Sequence, residues 1–165
     1  RWNYWWLGII AGVIGIVQWI GMDTLLQRAV PSLFALDHEK AFNPFAYFHT
    51  PAATWAWIAV RIAGASIVVP FMEELFWRDY LWRRIDAPND FQLSEVGCKN
   101  IAAIVAVSVA FSFVHVQMLT AFVWGMMVAG LLVYTRSLGA CIIMHGVTNL
   151  LLAIYVLYTE EWAWW

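Results

Sequence analysis

Residues 62–82 read IAGASIVVPFMEELFWRDYLW, a mostly apolar run that nonetheless carries Glu73, Glu74, Arg78 and Asp79. At about 1.5 Å per helical residue, the run is long enough to cross the roughly 30 Å hydrocarbon layer of a bilayer. A charged side chain at bilayer depth costs about 2.5–3.5 kcal/mol on insertion scales, so each charge here needs a partner or a wet cavity. The stretch therefore points to a membrane span and to a polar site inside it.

The surrounding composition agrees. The chain has 165 residues, of which 63% are hydrophobic and 12% charged, with a mean hydropathy of +0.70. One soluble core of this size would leave much of that apolar surface in water. Further apolar runs cover residues 5–22, 101–116, 119–135 and 138–158. The expected fold is all-α: a polytopic transmembrane helical bundle of about five to six spans, one membrane domain over 1–165, with an intramembrane polar cavity. Pro70 is expected to kink the second run or start a new helix. Residues 62–82 then form the span proper and 52–61 an entry segment. Pro31, Pro44 and Pro51 break up the polar stretch before it.

The twelve tryptophans reinforce the membrane reading. Trp2, Tyr4, Trp5 and Trp6 precede the first run, and Trp162, Trp164 and Trp165 follow the last. Both clusters are expected to be interfacial anchors. The net charge of −2 and the lack of a basic block exclude a nucleic-acid partner. Cys98 and Cys141 read as two buried free thiols. The first run lacks a small-residue cleavage site, so it is no cleavable signal peptide. With a cytoplasmic N-terminus, Arg1, Arg83, Arg84, Lys99 and Arg136 lie inside and Arg28 and Lys40 outside, the arrangement that the positive-inside rule prefers.

Ionisable or strongly polar groups within or beside the apolar runs are Arg61, Glu73, Glu74, Arg78, His115, His145 and Asn149. Glu74 and Arg78 are four residues apart and can pair on one helix face. Glu73 points about 100° away and is left as an unpaired carboxylate in a low-dielectric site, a condition suited to general-base work. A juxtamembrane charged turn is the plainer reading of the same spacing. His145 and Asn149 are also four apart and share a face. Arg61 reads equally as a counter-charge for the glutamates or as a snorkelling side chain. His38 and His49, in the proline-broken loop, read as solvated. Glu73, His115 and His145 are expected to converge near mid-depth, with the turn at Gln117 dipping below the membrane surface.

Three motifs in order, Glu73-Glu74-Leu-Phe-Trp-Arg78, Phe111-Ser-Phe-Val-His115 and His145-Gly-Val-Thr-Asn149, resemble those of the CPBP intramembrane proteases. That family comprises the type II CAAX prenyl endopeptidases and bacterial relatives such as the lysostaphin-resistance-protein-A-like proteins. The wording Val69-Pro-Phe-Met-Glu73 is similar to the exosortase-associated branch. The resemblance covers roughly residues 55–158, with each motif expected on a separate helix and the first span outside them. It implies an intramembrane endopeptidase of a bacterial inner membrane acting on a membrane-associated protein or peptide. Glu73 and His115 would activate a water, His145 and Asn149 would stabilise the oxyanion, and Glu74 and Arg78 would support the site. The family is often labelled metalloprotease, and Glu73, His115 and His145 could form a zinc site with an open position. The chain lacks the His-Glu-x-x-His arrangement that presets zinc ligands on one helix. A metal-free mechanism requiring no cofactor is the preferred expectation. The competing functions are a non-catalytic immunity or sequestering protein of the same fold, and a small transporter with a proton relay.

Overall fold

The computed structural model describes residues 2–165. Seven α-helices form: α1 (Trp5–Ala29), α2 (Pro31–Phe34), α3 (Pro44–Tyr47), α4 (Pro51–Asp86), α5 (Ile101–Ser112), α6 (Met118–Thr135) and α7 (Leu138–Thr159). Among the described residues there is no strand. α1, α4, α6 and α7 are long and apolar enough to cross a membrane. α5 is apolar but has only 12 residues, about 18 Å of rise, so it reaches little more than halfway through the hydrocarbon. The protein is a helical membrane bundle, with large exposed apolar side chains such as Val17, Val60 and Met72 on its outer faces.

Local chemistry sets the helix ends. Asn43, Thr50, Asn100 and Ser137 are N-caps whose side chains accept backbone N–H bonds. Pro44 and Pro51 occupy the first helical turn, where no N–H is needed. α6 and α7 stop where Arg136 and Glu160 turn left-handed, with φ of 48° and 59°. Between α4 and α5, Asp86 accepts bonds from Ser94 Oγ (2.7 Å) and Asn100 Nδ2 (2.9 Å) and gathers the connecting loop. Both cysteines are free.

α4 differs from the expected layout. Pro70 neither breaks nor reverses it, and residues 52–61 are its first turns rather than a separate entry segment. The helix instead widens into π geometry at Gly64–Val68 and Leu75–Leu81. Pro70 has no N–H to offer Ser66, four residues back, and the first π segment absorbs that misfit inside a continuous helix.

α1 lies along α7 through glycines. A Cβ at Gly8 would stand 2.5 Å from the Ala140 carbonyl oxygen, and one at Gly12 2.7 Å from Val147 Cβ. Backbones therefore approach as in small-residue membrane interfaces, and Thr148 Oγ1 donates across the contact to the Gly12 carbonyl at 3.1 Å. The C-terminal tryptophans pack against the bundle rather than standing free of it. Trp162 and Trp164 are buried and join the core, because the chain folds back over the bundle end after Glu160. Arg61 is neither a counter-charge for the glutamates nor a free snorkel. Its guanidinium lies over the rings of Trp57 (5.5 Å) and Trp165 (5.0 Å).

Candidate active site

The π segments of α4 decide where its polar groups face. Glu74 is fully buried, and Oε1 lies 3.3 Å from Arg78 Nη1 and 2.8 Å from His145 Nδ1 on α7. Arg78 is 1% exposed, and its guanidinium stacks over Phe111 at 4.5 Å. Glu74 and Arg78 are thus a buried pair, and the pair also holds His145. Glu73, one residue earlier, makes none of these bonds. Its Oε2 is buried with no hydrogen-bond partner.

Glu73, His115, His145 and Asn149 line one cavity of about 210 Å³ together with Trp19, Phe111, Gln117 and Trp124. Glu73 also borders an outer apolar cleft with Met72, Phe76, Trp77 and Val114. It therefore stands between the interior cavity and the lipid-facing surface.

His115 is not on a helix, contrary to the one-motif-per-helix expectation. It sits in the turn between α5 and α6. Phe113, Val114 and Val116 of that turn are exposed, while His115 is half-buried. The first half of the turn is paired to the end of α5, with Val114 N–H donating to the Phe111 carbonyl at 3.4 Å and His115 N–H to the Ser112 carbonyl at 3.1 Å. His115 Nδ1 lies 2.8 Å from the Phe111 carbonyl oxygen. A carbonyl cannot donate, so Nδ1 carries the proton, and in the neutral ring Nε2 is left as an acceptor.

Asn149 projects one turn beyond His145. Its Nδ2 donates to the Ala65 carbonyl at 2.8 Å, an acceptor within the first π segment. Val69 N–H bonds the Gly64 carbonyl five residues back, so in this register Pro70 would be the donor to Ala65 and has no N–H to give. The neighbouring Ser66 carbonyl comes so close to α7 that a Cβ at Gly146 would stand 2.6 Å away. The proline, the π segment, Gly146 and Asn149 thus make one joint between α4 and α7. One Asn149 N–H holds that joint, and the second is not used by it.

Residues outside the three motifs complete the cavity. Trp19 of α1 meets the His115 ring edge-on at 5.8 Å, so the first span does contribute to the site. Trp124 meets the His145 ring at 4.8 Å. Trp164 and Trp165 also line it. No spacing rule in the sequence connects these tryptophans to the histidines. Only the abundance of Trp inside apolar runs, beyond what interfacial belts need, pointed towards them.

The zinc expectation can be tested on the donors themselves. The Nδ1 bonds of His115 and His145 are of the kind that orient zinc-binding histidines. Yet among the described residues no three His, Cys, Asp or Glu side chains stand close enough to hold one ion. As placed, Glu73, His115 and His145 do not fit a zinc ion.

A helical membrane bundle with a carboxylate, two histidines and an amide around one internal cavity defines a class: integral membrane proteins with a buried polar site. The family follows from the sequence. Residues 45–151 match the family model described as type II CAAX prenyl endopeptidase Rce1-like, and the chain belongs to that family, which implies a protease. No curated protein and no solved structure matches the chain.

Proposed function

We propose that the protein is an intramembrane endopeptidase in which Glu73 is the general base. The observation that carries this reading is the division of labour between adjacent glutamates. Glu74 Oε1 is engaged by Arg78 and His145, whereas Glu73 makes no ion pair and is the one of the two that lines the cavity; Oε2 of each has no partner. In the proposed reaction the Glu73 carboxylate takes a proton from water as its oxygen attacks the peptide carbonyl carbon. His115, through the Nε2 lone pair, holds that water. The C–N bond then breaks, and Glu73 passes the proton to the leaving amine.

The developing oxyanion is received by the second Asn149 N–H and by His145. His145 Nδ1 faces Glu74, so Nε2 can donate only when the ring carries both protons. No metal step is assigned, since the three candidate donors, though they line one cavity, do not stand close enough to hold one ion.

The substrate is a membrane-associated protein or peptide that approaches from the lipid, and the outer cleft at Met72, Phe76 and Val114 supports that route. The end bearing Arg83, Arg84, Lys99 and Arg136 faces the cytoplasm of a bacterial inner membrane. The test compares membrane peptidomes of cells carrying the wild-type chain, E73Q or no copy. Peptides present only with the wild type are expected. A peptidome of E73Q identical to that of the wild type would end the catalytic reading and favour a binding role.

A further inference from the structure

α1 carries a carboxylate that the proposed chemistry does not use. Asp23 is 1% exposed, and among the described residues no Lys, Arg or His lies within ion-pair distance of it. A buried carboxylate without a cation is costly in an apolar bundle and is a candidate for function. Its partners lead to the site. Oδ1 accepts from Thr120 Oγ1 at 3.2 Å, and Oδ2 from Gln27 Nε2 at 2.7 Å. Gln18, one helical turn and a quarter earlier, donates from Nε2 to the Thr120 carbonyl at 3.3 Å.

Thr120 is fully buried in the first turn of α6, five residues after His115. That turn starts at Gln117, whose side chain provides no cap, so a carboxylate beside it also meets the positive end of the helix. Between Asp23 and Gln18 on α1, Trp19 reaches the His115 ring itself. The short connection between α5 and α6 turns Phe113, Val114 and Val116 outward. Its inward members are His115 and Gln117, both on the cavity wall.

We infer that Asp23 is a positioning residue for His115. By holding Thr120 it fixes the start of α6, and so the turn that presents the imidazole to the cavity with Trp19 against its ring. The catalytic meaning of this clamp rests on the reading of His115 given above, but its geometric content does not.

The test therefore needs no substrate. The chain is labelled with 15N-histidine and studied in lipid bicelles by NMR, where its four histidines give few signals and H115Q assigns the one of interest. The wild-type His115 is expected to show the Nδ1-protonated pattern imposed by the Phe111 carbonyl. D23A is expected to replace it with the averaged pattern of a mobile imidazole. T120V, which removes the hydroxyl and keeps the shape, should do the same, and the double variant should go no further than either. D23N is expected to restore the wild-type pattern, because its amide oxygen still accepts from Thr120. His145, held by Glu74, reports the fold and should keep its signals throughout. If His115 is unmoved in D23A and T120V, or if His145 changes together with it, the proposal fails. The outcome is independent of whether E73Q abolishes proteolysis.

Discussion

Exchanging either of two adjacent glutamates for glutamine should have opposite consequences. Glu74 is fully buried and its Oε1 is shared by Arg78 and His145. Removing one member of a buried ion pair leaves the other charge uncompensated, at about 3–5 kcal/mol. In E74Q the amide oxygen still accepts from both donors, and the Arg78 guanidinium keeps its contact with Phe111. The loss should sit near the lower figure, about 3 kcal/mol. E74A removes the acceptor as well and belongs near the upper one. For a chain of this size, about 2–4 °C per kcal/mol gives a Tm lowered by roughly 6–20 °C across the pair of variants. Glu73 has an unpartnered buried oxygen, so E73Q trades an uncompensated carboxylate for a neutral group and should leave Tm unchanged or raised. Thermal unfolding in detergent can be followed with a thiol-reactive fluorophore in a C98A background, since Cys98 is only half-buried whereas Cys141 is buried and becomes reactive only as the bundle opens. Proteolysis is measured on the same samples. The expected result is a stable, inactive E73Q beside an unstable E74Q. An E73Q that unfolds as readily as E74Q would refute the division between the two residues.

Other outcomes follow from single contacts. G146A places a methyl 2.6 Å from the Ser66 carbonyl, and forcing the two backbones apart should cost about 1–3 kcal/mol, visible as a lower Tm together with reduced cleavage because Asn149 shares the joint. W165A removes one of the two rings under the Arg61 guanidinium and should cost about 0.5–2 kcal/mol of stability, with R61K intermediate, measured in the same unfolding assay. Thorough chelation of purified protein is expected to leave peptide cleavage intact, measured with zinc content by mass spectrometry. Activity lost on chelation and restored by stoichiometric zinc would overturn the metal-free reading.

The residue types and spacings made part of the site legible before any coordinates. Residues four apart on a helix must share a face, so the Glu74–Arg78 pair and the shared side of His145 and Asn149 follow from arithmetic. The all-helical membrane class follows from the apolar runs. Other features depend on information that local spacing does not carry. At Pro70 the sequence leads one to expect a kink or a new helix because a hydrogen bond is missing there; no new helix starts, and a π segment over Gly64–Val68 carries the helix on and leaves the Ala65 carbonyl to Asn149. Arg61 reads in the sequence as a counter-charge for the glutamates or a snorkelling side chain, and the terminal tryptophans as interfacial anchors, because nothing local links the two. They satisfy one another by ring–cation stacking across about a hundred residues of chain, which no periodicity reveals. Trp19 was missed because the first span carries no catalytic residue type, although it touches one.

The short α5 resolves a conflict between depth and reactivity. A peptidase in a membrane must bring water to a carboxylate while keeping its surrounding backbone out of contact with lipid. A full-length helix between the α4–α5 loop and the next turn would carry His115 to the opposite surface, away from Glu73. Twelve residues rise about 18 Å, well short of the roughly 30 Å hydrocarbon layer, and α6 returns from there. The turn bonds part of its backbone to the end of α5, leaves Phe113, Val114 and Val116 exposed, and turns His115 inward. α1 then covers the turn with Trp19 and grips α6 through Asp23 and Gln18. Lengthening α5 by one helical turn would move His115 about 5.4 Å along the bundle, more than a hydrogen bond can span. On the proposed reading, the shortness of this helix is what lets His115 work beside Glu73, and α1 is the element proposed to keep so short a hairpin in register.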